Sequence, residues 1–144
     1  MYFMKETTNK EKKMARIIST EDAPKAIGPY SQAIVANGLV YTSGQIALMA
    51  DGNMETRGVE QQTHQVIKNL FYVLAAAGAQ FSDVIKTTIY LTDMNDFETM
   101  NKVYAHYFGS HQPARSTVAV KALPKGALVE IECIAFADRH VDFG

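Results

Sequence analysis

A mixed α/β fold, one β-sheet with two helices on one face, is predicted by three features of the sequence. An Asn37-Gly38 dipeptide separates two short apolar runs. Two later segments, "VEQQTHQVIKNLFYVLAAA" and "FETMNKVYAHYF", repeat their apolar residues at helical spacing. Alternating, β-branched runs stand before, between and after those segments.

The elements follow in order. "RIIS", from Arg16, is a short strand, and the Pro- and Gly-marked stretch "EDAPKAIGPY" is a loop. "SQAIVANGLVYTSG" is a β-hairpin, because Asn and Gly both tolerate the positive φ that a two-residue turn demands. "ALMADGNME" is a loop or second turn around Asp51-Gly52. Val59, Val66, Leu70, Val73, Leu74 and Ala77 mark one face of an amphipathic helix, and Gly78 stands at its C′ position. "SDVIKTTIYL" is a strand. Asn95 and Glu98 have the spacing of an N-cap and capping box. The helix they open carries Phe97, Met100, Tyr104, Tyr107 and Phe108 on one stripe and ends at Gly109. "RSTVAVKAL" and "LVEIECIAFA", joined by a turn at Pro124-Lys125-Gly126, are the last strands and are expected to lie side by side, antiparallel.

Strand–helix–strand crossovers are right-handed, so both helices fall on the same face of the sheet. In the last strand Val129, Ile131, Cys133 and Ala135 point one way, and Leu128, Glu130, Glu132, Ile134 and Phe136 the other. The second set is half apolar and has no helix to cover it. A second copy of the chain is expected to do so.

With 144 residues, the chain is long enough for one domain with a proper core. Residues 14–144 are read as that domain and residues 1–13 as a flexible extension, with Met14 as an alternative start. The leading "MYFMKETTNKEKK" lacks the apolar centre of a secretory signal, and no apolar run approaches the ~20 residues of a membrane span. A net charge of −1 provides no field to attract nucleic acid or an anionic membrane. The lone Cys133 fits a reducing compartment, so a cytoplasmic location is expected.

Most of the reactive residues read as structural. His64, His106, His111 and His140 lack the i, i+4 partner of a helical metal site, so no metal is expected. "DMNDFE" lacks the central glycine and distal glutamate of a calcium loop, and "YTSGQ" lacks the spacing of a phosphate loop. Cys133 lies in an apolar strand and reads as an inert core residue. Arg115 and Glu130 remain. A salt bridge between them, or a cationic partner across a subunit contact, would explain both. So would a site for a small organic anion that uses no cofactor: a guanidinium fork grips a carboxylate, and a buried carboxyl holds a water. On residue chemistry alone the two readings stand level.

Pro113-Ala114-Arg115-Ser116, Leu123-Pro124 and Val129-Glu130-Ile131 closely resemble the signature of the Rid (YjgF/RidA) family. "AIGPYSQA", "TSGQI", "QVIKNL", "AAAG", "DVIKTTIYLTDMNDFETMN" and "VYAHYF" extend the likeness from Met14 to Phe136. The resemblance implies a chorismate-mutase-like subunit assembled as a homotrimer, with helices outside, sheets inside and sites between subunits. It implies hydrolysis of 2-imino and 2-enamino acids, such as 2-iminopropanoate and 2-iminobutanoate, to 2-oxo acids and ammonia, with no cofactor. By matching motif, Arg115 grips the substrate carboxylate and Glu130 positions or activates water. Tyr30 lines the cleft, Ser43 and Gly44 offer a hydroxyl and a close-approach backbone, and Asn101 is a further pocket residue. Thr117 occupies a position where many members carry cysteine, so it keeps the backbone contacts without the thiol. Taken singly, Tyr30 could equally plug a loop, Ser43-Gly44 could be ordinary turn chemistry, and Asn101 could be a helix-surface residue. The competing function is a non-catalytic trimer that binds or senses a small oxo or imino acid. RNA cleavage, also assigned to family members, is disfavoured by the near-zero charge and the lack of a basic, aromatic stripe.

Overall fold

The computed structural model describes residues 15–137. The extension at residues 1–13, Met14 and His140 lie outside the described residues.

Six strands form one mixed sheet: β1 (Ala15–Ile18), β2 (Ala33–Ala36), β3 (Leu39–Thr42), β4 (Val84–Leu91), β5 (Ala114–Ala119) and β6 (Val129–Phe136). Helix α1 (Val59–Ala76) precedes β4 and helix α2 (Phe97–Phe108) follows it. Across the sheet the order is β1-β2-β3-β6-β4-β5. All pairs are antiparallel except β4 with β5.

The expected hairpin is present, with Asn37 and Gly38 at φ 52° and 80°. At the end of α1 the Gly78 amide donates to the Ala75 carbonyl and the Ala79 amide to the Leu74 carbonyl, with Gly78 at φ 78°. That is a Schellman closure, which needs a residue free to adopt positive φ.

Two expectations are overturned. The strands β5 and β6 are not neighbours: β4 lies between them, parallel to β5 and antiparallel to β6. The Pro124–Gly126 segment is a single 3-10 turn with Lys125 at φ 57°, and it turns the chain away from β5. At the start of α2 the cap is one element earlier than expected. A 3-10 turn, Met94–Asp96, precedes the helix, and Asp93 Oδ1 accepts from the Asn95 amide at 2.9 Å. Asn95 and Glu98 form no capping box, and Asp96 at the helix N-cap makes no side-chain cap bond.

Helix α1 lays Val66, Ile67, Leu70, Val73 and Leu74 on the sheet, and α2 adds Met100, Val103, Tyr104 and Phe108. They meet Val40, Ile89, Leu91 and the inward row Val129, Ile131, Cys133 and Ala135 of β6 in one core. The helix side of the sheet is thereby filled. The other side is not. One rung of apolar side chains, Ile17–Ile34–Tyr41–Ile134, crosses four strands there, with Ile17 69 % and Tyr41 45 % exposed.

Polar residues inside the α1 stripe tie loops to this core. Asn69, 1 % exposed, donates from Nδ2 to the Ile46 and Leu48 carbonyls at 3.1 and 2.7 Å, and its Oδ1 accepts from Gln65. Gln62 donates to the Glu55 carbonyl and accepts from the Leu128 amide, both at 2.9 Å. Replacing Asn69 with Ala leaves two buried carbonyls unpaired, so Asn69→Ala is expected to lower unfolding free energy in urea by about 2–3 kcal/mol. A loss below about 0.5 kcal/mol would show that these bonds do not fix the segment.

Candidate functional site

Glu130 opens the first half of the site. It lies on β6 opposite Tyr90, on the face away from the helices. Beside it β3 carries an extra residue. Tyr41 pairs with Ile134 and Gln45 with Ile131, so Thr42, Ser43 and Gly44 stand opposite only Glu132 and Cys133. The Cys133 amide is satisfied by Thr42 Oγ1 at 3.0 Å instead of by a ladder carbonyl. Such a bulge bends the strand and re-aims its neighbours. Here it brings the Gly44 backbone against the Glu130 carboxyl: a β-carbon at Gly44 would collide with Oε2 and sit 2.8 Å from Cδ. With Glu130 in this rotamer, only glycine leaves room for the carboxyl.

Ser43 and Tyr30 complete this half. The Ser43 hydroxyl donates to the Ser31 carbonyl at 2.6 Å, so its proton is already committed to holding the loop. The Tyr30 hydroxyl accepts from the Ile27 amide at 3.2 Å, and among the described residues no acceptor takes its own proton. Buried Gln32 staples the same loop through Thr20 and the Pro24 carbonyl. Together Tyr30, Ser43, Gly44 and Glu130 line one cleft of about 330 Å³, with Ile27, Ile46 and Leu48 as its apolar wall. Burial raises the Glu130 carboxyl above its usual range, and the Glu132 charge two residues along adds to the shift. No cationic side chain pairs with it among the described residues.

Arg115 builds the second half, on the opposite side of the sheet. Gln112, at φ 56°, closes the turn after α2 through its amide to the Phe108 carbonyl, and His111 Nε2 reaches the Val84 carbonyl at 2.6 Å. Pro113 then delivers Arg115 to the start of β5, next to Thr87 on the helix face. Its Nη1 donates to Asn101 Oδ1 at 2.7 Å. Its Cζ lies 4.8 Å from the Tyr104 ring centroid and 5.6 Å from that of Phe97. All three partners are neutral. They orient the guanidinium without cancelling its charge, and no carboxylate pairs with it among the described residues.

The structure therefore brings together Tyr30, Ser43, Gly44 and Glu130 in one group and Arg115 with Asn101 in another. It does not join the two groups within a chain. Arg115 is level with Cys133 through Thr87, three residues from Glu130 and two strands over, roughly 14 Å between backbones, with the side chains on opposite faces. This excludes the internal salt bridge. Thr117 lies on the Arg115 side, its hydroxyl enclosed and without a hydrogen-bond partner among the described residues, so in this arrangement it is not open to a ligand. Cys133 is inert, its thiol pushed up to about 12 by burial. His64 bonds Tyr107 and His111 bonds backbone, as structural residues would. Among the described residues, no group of three or more potential ligands gathers around a metal position. Sequence reasoning missed Tyr104 and Phe97 as partners of Arg115. Their stripe reads as core, and only the spacing 97, 101, 104 relative to Asn101 could have signalled a shared face.

A sheet with a guanidinium that no carboxylate pairs among the described residues on one face, and a desolvated carboxyl in a cleft on the other, defines a class: a small α/β subunit with two separate candidate half-sites. Comparison with known proteins gives the family. Residues 20–137 match the family described as Endoribonuclease L-PSP. The chain is 54 % identical over 120 residues to Reactive Intermediate Deaminase A, chloroplastic, of Arabidopsis thaliana, covering 83 % of this chain and 64 % of that longer protein. It is 48 % identical over 121 residues to human 2-iminobutanoate/2-iminopropanoate deaminase, covering 83 % of this chain and 88 % of the relative. The crystal structure of YyfA from Yersinia pestis, a protein of the conserved Rid family, superposes with a TM-score of 0.83 at 51 % identity, covering 85 % and 99 % of the two chains. This chain belongs to the Rid family.

The contact between Gly44 and Glu130 yields a test. Gly44→Ala is expected to cost about 1–3 kcal/mol of stability in wild type and much less in a Glu130→Ala background, because the clash partner is then gone. Equal costs in both backgrounds, read from urea unfolding, would show that the carboxyl does not rest on this glycine.

Proposed function

We propose that this protein hydrolyses reactive 2-imino and 2-enamino acids to 2-oxo acids and ammonia, at sites completed between the subunits of a homotrimer. The observation that carries the proposal is the guanidinium of Arg115, held by a side-chain oxygen and two ring faces with no carboxylate paired to it among the described residues. The names of the Arabidopsis and human relatives support the same chemistry. The trimer is supported by the apolar rung Ile17–Ile34–Tyr41–Ile134 on the uncovered sheet face, and by the placement of the half-sites on opposite faces. A neighbouring copy would bring its Arg115 to the Glu130 cleft.

In the assembled site the fork of Arg115 binds the substrate carboxylate and so fixes C2 beside a water held at Glu130. As the water oxygen bonds to C2, the C=N π pair moves to nitrogen and the Glu130 carboxylate takes one proton from the water. The carboxyl returns that proton to nitrogen, giving a carbinolamine; the new hydroxyl then passes its proton through Glu130 to nitrogen as the C2–N bond breaks, and ammonia leaves a 2-oxo acid. A carboxyl whose affinity for protons is raised suits both steps near neutral pH. An enamino acid needs one earlier event, protonation at C3, which protonated Glu130 can supply. The Tyr30 hydroxyl, with its proton unspent, can donate to the substrate, while Ser43 serves mainly to hold the loop. Asn101 acts through Arg115. Thr117 would join only if its enclosed hydroxyl turned outward. The imine arrives already electrophilic, so positioning supplies most of what is needed and no cofactor takes part.

The small-molecule substrate is the proposed partner, with neither nucleic acid nor membrane. Among the described residues, no helix is long and apolar enough to cross a membrane. A cytoplasmic setting suits a chain whose single cysteine is buried and unpaired.

The test is a coupled assay. A serine or threonine dehydratase generates the imine, and its disappearance is followed with added wild-type protein, Arg115→Ala or Arg115→Lys. Acceleration is expected from wild type. Arg115→Ala should lose about 1.5–3 kcal/mol of carboxylate binding, a factor of roughly 10–150. Arg115→Lys should recover little, because an ammonium cannot make the parallel pair of bonds. Full activity in Arg115→Ala would refute the clamp, and binding without acceleration in wild type would indicate a sensor.

A further inference from the structure

The stripe of α2 that meets Arg115 contains one residue that does more than fill the core. Tyr104 is 7 % exposed, and its hydroxyl lies 2.7 Å from Thr87 Oγ1 in a buried hydrogen bond. Thr87 is fully buried and is the β4 residue paired with Arg115. The ring is therefore pinned at both ends, by the helix at Cβ and by the neighbouring strand at the hydroxyl. Phe108 stacks against it at 4.7 Å between centroids, 33° between planes, which prevents it from swinging aside. The Arg115 guanidinium carbon sits 4.8 Å from the centroid of this immobilised ring.

Asn101 fixes one nitrogen of the guanidinium, and a single hydrogen bond leaves the plane free to pivot about it. A carboxylate is recognised by two parallel bonds only if that plane is set in advance. We propose that Tyr104, pinned by Thr87, is a positioning residue for carboxylate recognition that sets the plane of the Arg115 fork, with Phe97 as a weaker second support. Burial raises the Tyr104 phenol, against the lowering effects of Thr87 and Arg115. The ring thus stays neutral at physiological pH and adds no anion to compete with the substrate. The inference rests on the reading of Arg115 as the carboxylate clamp.

A packing residue would affect folding alone, so the test reads recognition. Wild type, Tyr104→Phe, Tyr104→Leu and Phe97→Leu are assayed for 2-iminobutanoate hydrolysis. Inhibition is measured with 2-oxobutanoate, which bears the carboxylate, and with 2-oxobutanamide, which does not. Tyr104→Phe keeps the ring face but loses the Thr87 pin, so it should raise KM by about threefold, less than loss of the ring does. Tyr104→Leu should raise KM roughly tenfold and weaken inhibition by 2-oxobutanoate to a similar degree, with kcat and inhibition by the amide little changed. If Tyr104→Leu does not fold, Phe97→Leu, at the partly buried second ring, should show the same selective weakening at roughly threefold. Unchanged KM in the folded variants, or equal weakening toward acid and amide, overturns the proposal. Retention of activity by Arg115→Ala would instead overturn the clamp itself, so the two failures are told apart.

Discussion

Alternation along a β-strand sends Arg115 toward the helices and Glu130 away from them, and no choice of rotamer can reverse either. The remaining site residues follow the same division. Asn101 and Tyr104 descend from α2 onto the guanidinium, whereas Gly44, Ser43 and Tyr30 gather around the carboxyl on the far side. Each half is well built and chemically incomplete. A protein with this sheet can join cation and acid in one cleft only by presenting one face to the other face of a neighbour. The apolar rung on the uncovered side is a surface of the kind that the proposed arrangement would bury.

Both halves keep their charge chemistry available at some cost in stability. The guanidinium is solvated by an amide oxygen and two ring faces, which contribute less than a carboxylate would but leave it able to attract one. The Glu130 carboxyl is desolvated against a glycine backbone and repelled by Glu132, so it holds a proton more tightly than a free side chain does. An internal ion pair would occupy both groups and, on the proposed reading, leave neither for a substrate.

Much of the fold was legible in the sequence because local chemistry decided it. Asn37-Gly38 could hardly be other than a tight hairpin, Gly78 a helix end, and the β6 alternation a two-faced strand. One miss was local: Asp93, not Asn95, caps the chain before α2, because a 3-10 turn intervenes. The other was settled by non-local pairing. A three-residue turn between β5 and β6 suggested neighbours, yet the inward row of β6 packs between β3 and β4, where both of its edges find partners, and β5 takes the edge beyond. Gln32, Gln62 and Asn69 were invisible for a related reason. Hydropathy assigns such residues to solvent, while each is buried to satisfy loop backbone that has no ladder of its own. Arg115 and Glu130 stood out as charges in apolar surroundings, but their assignment to opposite faces depended on strand order. Tyr104 was hidden because one stripe of α2 serves both core and site.

The composite site is tested most directly by mixing two defective subunits. Arg115→Ala and Glu130→Gln proteins, each strongly impaired alone, are unfolded together, refolded and assayed for imine hydrolysis. If each site takes its guanidinium from one copy and its carboxyl from the next, random reassortment pairs an intact Arg115 with an intact Glu130 at about one seam in four, and about a quarter of wild-type activity should return. A mixture no more active than its parents would contradict the account, because both groups would then have to act from the same chain.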